Sequence, residues 1–196
     1  MATSDKLLKA FEKFDVANAK DPNTESYMGR TYPKEVLYAT RMTEKLNDFA
    51  PEASEALRLT ARCQHICRWE IPRESYDMNR VGYLKWRQDL KKFHARKAAE
   101  ILNDVGYSQE VIDKVSFLLE KKQLKKNEET QTLEDVICLV FLEYYFEPFA
   151  EEHPEGKIID ILQKTWRKMS EKGQEAALKL PFSDSAMALV SKAIES

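Results

Sequence analysis

The run Thr132–Pro148, TLEDVICLVFLEYYFEP, decides the fold. Thr132 and Asp135 stand at the spacing of a capping box, so a helix is expected from Leu133 to Glu147, with Pro148 helping to end it. Apolar residues appear on every side of that helix, through Tyr144, Tyr145 and Phe146, which marks it as central and surrounded by others. Its most apolar part, Val136 to Leu142, is far shorter than the ~20 residues that span a bilayer. It therefore reads as a core helix and not as a membrane anchor.

Outward from this run, apolar residues recur at steps of three and four and do not alternate. Only 5 glycines occur in 196 residues, which leaves little turn chemistry for hairpins. The expected fold is all-α, a compact single-domain bundle of about seven to eight helices. Ser4 caps a first helix carrying Leu7, Leu8, Phe11 and Phe14. Pro33 sits where a first helical residue belongs, ahead of Val36, Leu37, Met42 and Leu46. A third helix is expected from Pro51 to Trp69. The segment Glu70–Gly82, EIPRESYDMNRVG, breaks the periodicity and reads as an ordered surface loop. Tyr83 to Val105 then forms a long helix stopped by Gly106, and Ser108 starts the next. After the charged exit KKQLKKNEETQ and the central helix, Lys157–Lys172 forms an amphipathic helix closed by Gly173, and Ser183 caps a last one. A chain of this length buries roughly 70% of the surface that it exposes when unfolded.

The 33 acidic and 31 basic residues leave a formal charge of -2, so no global field drives the protein onto nucleic acid or an anionic membrane. An anion site must be local. The three cysteines, Cys63, Cys67 and Cys138, are an odd number and read as free thiols in a reducing, cytoplasmic compartment. The N-terminal stretch MATSDKLLKAFEKF lacks the apolar run of a secretory signal. Cys63-x-x-x-Cys67 places two thiols one helical turn apart with His65 between them on another side, so both read as small core residues. No Gly-rich loop opens a helix and no G-x-S-x-G element occurs, which sets aside P-loop, dinucleotide and serine-hydrolase sites.

Arginine is concentrated in one third of the chain: nine of ten, including Arg62, Arg68, Arg73, Arg80 and Arg87, lie between Arg30 and Arg96. The planar guanidinium grips phosphate with two bonds and stacks on aromatic faces. With Trp69, Tyr76, Tyr83 and Trp86 in the same stretch, a pocket for a phosphorylated or nucleotide-like ligand is one reading. The other is that these arginines pair with Glu35, Glu70, Glu74 and Asp77 and brace a loop. His65 and His94 fall in this segment as well, each a candidate metal ligand or proton carrier, or else a satisfied core residue. Glu134 and Asp135 are either first-turn acids stabilised by the helix N-terminus or metal-site carboxylates.

The runs RTYPKEVLYATRM, ARCQHICRWEIPRESYDMNRVGYLKWR, FHARKAAEIL, QTLEDVICLVFLEYYFEPFA and KTWRKMSEKG resemble a family of uncharacterised bacterial and fungal proteins. Some members of it carry the label glutamyl-tRNA-synthetase-like. Lys168-Met169-Ser170-Glu171-Lys172 resembles one class I synthetase signature, but it falls on an amphipathic helix and has no first signature beside it. Aminoacylation is not expected.

A more distant similarity is to the HD superfamily of metal-dependent phosphohydrolases. Tyr32 with Val36 resembles the first-histidine helix, Gln64-His65-Ile66 falls at the His-Asp pair, and Asp135 falls at the late aspartate. His94 matches an extra histidine of some two-metal members. Tyr32 and Gln64-His65 depart from the usual ligands. The resemblance implies an HD-like core over 30–150, preceded by an N-terminal helix and loop (1–29) and followed by C-terminal helices (151–196). It also implies a rearranged site. In that site His65, His94 and Asp135 hold a divalent metal ion, Glu134 and Glu35 serve the chemistry, and Arg62, Arg68, Trp69, Arg73, Arg80 and Arg87 meet the substrate. The expected activity is hydrolysis of a phosphorylated or nucleotide-like small molecule; the alternative is a non-catalytic nucleotide- or RNA-binding protein. No membrane association is expected.

Overall fold

The computed structural model describes residues 4–195; Met1–Thr3, part of the stretch read above as lacking a leader, and Ser196 lie outside the described residues. Helix α1 (Asp5–Asn18) starts where the Ser4 hydroxyl accepts the Leu7 N–H, and it buries Leu7, Ala10 and Phe14 at the spacing of one helix face. Ten α-helices follow one another along the described residues, where about seven to eight were expected, and a two-stranded hairpin accompanies them. The excess arises because two expected long helices, 133–147 and 157–172, are each divided in two. No helix among the described residues is long and apolar enough to cross a membrane.

The hairpin joins β1 (Thr24–Tyr27) to β2 (Arg30–Pro33), antiparallel, with Glu25 opposite Tyr32 and Tyr27 opposite Arg30. Met28 and Gly29, both at positive φ (48° and 75°), form the tight turn. Four-residue strands are too short to register as alternation, which is why periodicity alone did not anticipate them. Pro33 thus ends a strand instead of opening a helix, and Tyr32 lies on that strand. Helix α2 (Lys34–Phe49) has its first turn tied from afar, the Asp21 carboxylate accepting the Glu35 N–H at 3.1 Å.

The chain falls into two units, one built from the residues up to Asn47 and from Pro51 to Lys122, the other from Asp48–Ala50 and Gln123 onward. In the first, α3 (Glu55–Arg62) ends at Cys63, well short of the expected Trp69. Cys67 takes the left-handed conformation (φ 53°), and short 3-10 turns follow at Arg68–Glu70 and Arg73–Ser75. Tertiary hydrogen bonds compensate the lost helical ones. The buried Asn18 side-chain Oδ1 accepts the Cys67 N–H at 3.0 Å, and the Ile66 backbone carbonyl accepts from His94 Nδ1 at 2.8 Å. His65 is therefore in a turn, not on a helix face with Ala61 and Trp69.

Helix α4 (Arg80–Val105) begins with Asn79 capping the Gly82 N–H, so Gly82 is inside the helix and not before it. Only hydrogen fits there, because a β-carbon would stand 2.1 Å from the Asp77 carbonyl oxygen. At the other end Gly106 (φ 88°) closes the helix as expected, with the Tyr107 N–H reaching the Leu102 carbonyl. Helix α5 (Gln109–Leu119) packs on α3 and α4, and Phe14, Leu59, Ile66, Ala98, Leu102 and Val115 are among the core residues of this unit.

In the second unit α6 (Glu128–Val140) starts one turn earlier than expected, because Asn127 caps it through the Thr130 N–H. Thr132 is already helical and donates to the Glu128 carbonyl, so Glu134 and Asp135 are mid-helix and buried, not first-turn acids. A wide π turn at Phe141–Tyr145 leads into α7 (Phe146–Glu151), which runs through Pro148. Proline cannot donate to the carbonyl four residues back, and the widened turn accommodates its ring. After α8 (Glu155–Lys168), α9 (Glu171–Ala177) and α10 (Asp184–Glu195) complete a core around Leu139, Leu142, Phe146, Leu162 and Met169. Gly173 sits within α9 because a β-carbon there would be 2.6 Å from Asp135 Oδ1.

Candidate functional site

The first unit gathers four of the expected side chains. Glu35 leaves the first turn of α2, His65 and Arg68 leave the turn after α3, and His94 leaves α4 two turns beyond Arg87. The His65 ring stacks on Tyr38 with centroids 4.1 Å apart, and lies 6.0 Å from the His94 ring. Its Nδ1 is 3.5 Å from Glu35 Oε2, and Arg68 Nη1 donates to its Nε2 at 2.9 Å. The Arg68 guanidinium also lies 5.0 Å from the Trp86 ring centroid, while the Trp86 indole donates to the Ile71 carbonyl.

These partners define the tautomers. A guanidinium only donates, so His65 Nε2 is the acceptor and Nδ1–H faces Glu35. A carbonyl only accepts, so His94 carries its proton on Nδ1 toward Ile66 and leaves Nε2 as a bare acceptor. That His94 Nε2 and Glu35 Oε2 are both buried without a hydrogen-bond partner.

Electrostatics follow from burial. Desolvation pushes the Glu35 carboxyl up to about 7, with Arg68 pulling it partly back and Asp21 pushing it further. Burial takes His94 down to about 3, helped by the neighbouring His65. His65 falls well below the ordinary histidine range, through desolvation and then the charges of Arg68 and Arg87. Burial likewise draws Arg68 below the usual guanidinium value, and Arg87 adds repulsion. Near neutral pH the cluster thus holds two neutral imidazoles, one guanidinium and one half-ionised carboxyl, with the charge of Arg87 near enough to act on Arg68 and His65. Positive charge is in excess.

The remaining expected residues do other work. Arg62 grips Asp15 with two bonds of 2.8 and 2.6 Å, and Arg73 braces the carbonyls of Tyr76, Asp77 and Asn79. Trp69 packs on the core of the first unit, and Arg80 is exposed at the start of α4. Glu134 and Asp135 belong to the second unit. Glu134 faces Lys168 at 3.9 Å. Asp135 accepts the Ser170 N–H at 2.8 Å, the Ser170 hydroxyl at 2.5 Å and the Gln131 amide at 3.0 Å, so it anchors the start of α9.

Among the described residues no three of His, Cys, Asp or Glu stand together as a metal site. In the histidine cluster only His94 Nε2 and Glu35 Oε2 are open donors, and His65 Nε2 is blocked by Arg68. The donor set in this arrangement does not fit a metal ion, which needs at least three protein ligands in a catalytic zinc site.

Tyr38 and the Ile66 carbonyl were not anticipated as parts of the site. The three-residue step from Glu35 to Tyr38 was a readable signal, whereas the carbonyl became available only through the broken helix. A model of the family described as domain of unknown function (DUF4202) matches residues 8–190. No curated protein and no solved structure matches the chain.

Proposed function

The chain belongs to the DUF4202 family, a domain of unknown function, so its activity has to be read from its own residues, and we propose that its first unit binds a phosphorylated or nucleotide-like small molecule. Arg68 and Arg87 hold the phosphate, and the exposed face of Tyr83 offers stacking to a ring attached to it, while buried Trp86 supports Arg68 from beneath. The observation that carries this reading is the partner of Arg68: a neutral imidazole in place of a carboxylate. Arg87 has no carboxylate partner among the described residues, and it lowers the pKa of Arg68 and His65 by its charge. Two mutually repelling guanidiniums in a partly desolvated setting are stabilised by an anion. A local pair of this kind suits a small molecule better than RNA, which is usually tracked by an extended basic surface. The three buried free cysteines support a reducing compartment.

In a thermal-shift assay, phosphate and AMP should raise the melting temperature of the native protein, and Arg68→Ala and Arg87→Ala should abolish the rise. No shift with any phosphate compound would end this reading.

A second reading, an HD-like phosphohydrolase, is favoured by one observation: the Glu35 carboxyl, at about 7, is suited to acid–base work beside His65. No step through a metal is derived, since the donors present do not fit one. Uptake of a transition metal by the purified protein, lost in His94→Ala together with phosphatase activity, would support this reading. Absence of uptake together with absence of turnover removes it.

A further inference from the structure

We infer that this site, if it binds anions as proposed above, selects a tetrahedral anion that brings its own hydrogen-bond donor: a phosphate that retains a proton, or one with a hydroxyl beside it, over a bare anion such as sulfate. The inference rests on two buried acceptors next to the guanidinium pair. His94 is 5% exposed and Glu35 6%, and neither His94 Nε2 nor Glu35 Oε2 has a hydrogen-bond partner. Buried polar atoms are nearly always satisfied, so the atoms that satisfy these two come from outside the chain.

Their surroundings say what kind of atoms those are. Both His94 Nε2 and an ionised Glu35 accept and cannot donate. His65 offers nothing to His94, since its Nε2 takes the Arg68 proton and its Nδ1–H faces Glu35 at 3.5 Å. A fully deprotonated anion drawn in by Arg68 and Arg87 would set its oxygen lone pairs against these acceptors, which is repulsive. A P–OH group or an adjacent hydroxyl presents a proton to one of these atoms, relieves that unsatisfied acceptor and removes a lone-pair repulsion. Arg68 is the movable element: its Nη1 leaves His65 as it takes the anion, and His65 is the partly exposed member of the cluster, with 22% of its side chain accessible. The desolvation that makes Glu35 a weak acid strengthens the demand for a donor at that position.

The test is calorimetric titration of the full chain with inorganic phosphate and with sulfate at about pH 8, where Glu35 is ionised and acceptor-only. Inorganic phosphate still carries a proton under these conditions and sulfate carries none. Phosphate should bind about ten-fold or more tighter than sulfate, as expected for one charge-assisted hydrogen bond gained against one unsatisfied acceptor. Glu35→Gln, whose amide donates, should bring the two affinities within about three-fold. His94→Asn keeps an N–H for the Ile66 carbonyl and is too short to place an acceptor at the Nε2 position, so it should weaken phosphate more than sulfate. Circular dichroism melts confirm that each variant is folded.

If neither anion binds the native protein, the anion-site reading fails and this inference with it. If both bind equally, the site stands and the donor requirement is refuted. A preference that survives in both Glu35→Gln and His94→Asn would also overturn it. AMP, a dianion at that pH, separates the sources of the proton. Binding as weak as sulfate points to the P–OH of free phosphate, and binding as tight as phosphate points to a ribose hydroxyl; either outcome supports the donor requirement.

Discussion

Replacing Glu35 by glutamine should stabilise the protein, by an amount that depends on pH. Burial raises this carboxyl from its ordinary value of 4.5 to about 7 in the native state. Between those values the native protein keeps a proton that the unfolded chain has released, so stability falls as pH rises through the window and levels off above it. At about 1.4 kcal/mol for each tenfold change in proton affinity, the gap corresponds to roughly 3 kcal/mol of lost stability at about pH 8. Glutamine has nearly the same shape and no charge to desolvate. The histidines act in the opposite sense: His94, held down to about 3, and His65, also held low, remain neutral when the unfolded imidazoles protonate, so they remove stability as pH falls below their ordinary value of 6.5. That effect is common to both proteins and cancels in the difference. Urea unfolding of native and Glu35→Gln protein across about pH 4.5 to 8 should give curves that agree at the acid end and diverge toward roughly 3 kcal/mol at the alkaline end. A stability difference that does not widen with pH would refute the burial argument, and with it the account of Glu35 as a desolvated acceptor.

Two structural predictions accompany it. Asp135→Ala strips the Ser170 N–H, the Ser170 hydroxyl and the Gln131 amide of their acceptor. It should lower stability by about 2–4 kcal/mol in urea titration, and an unchanged midpoint would show that the carboxylate is not the anchor of α9. Gly82→Ala places a methyl group 2.1 Å from the Asp77 carbonyl oxygen, a backbone atom that cannot swing away. A loss of at least ~2 kcal/mol is expected, and a melt indistinguishable from the native one would contradict the close approach.

Helix existence was legible wherever a cap and an apolar stripe agreed. Ser4, Gly106 and Ser183 sit at the ends they were expected to mark, because these caps act through backbone groups within a few residues of themselves. Helix interruption was not legible. The turn at Cys63–Cys67 exists because Asn18 and His94, distant in sequence, supply hydrogen bonds that a continuous helix would otherwise provide. Asp135 reads in the sequence like a ligand or a first-turn acid. Only α9, brought against it by packing, makes it an anchor with both oxygens engaged.

The candidate site divides in the same way. Residue type and clustering singled out His65, Arg68, Arg87 and His94, and the family resemblance added Glu35, since guanidinium, imidazole and carboxyl groups carry their chemistry wherever they stand. Composition and periodicity likewise determined a mainly helical protein, because apolar spacing acts through local geometry. Which histidine nitrogen bears the proton, which arginine lacks a carboxylate, and which carboxyl is desolvated depend on neighbours tens of residues away. Those were decided by the tertiary structure, since burial and hydrogen-bond pairing are properties of packed surfaces and not of chain order.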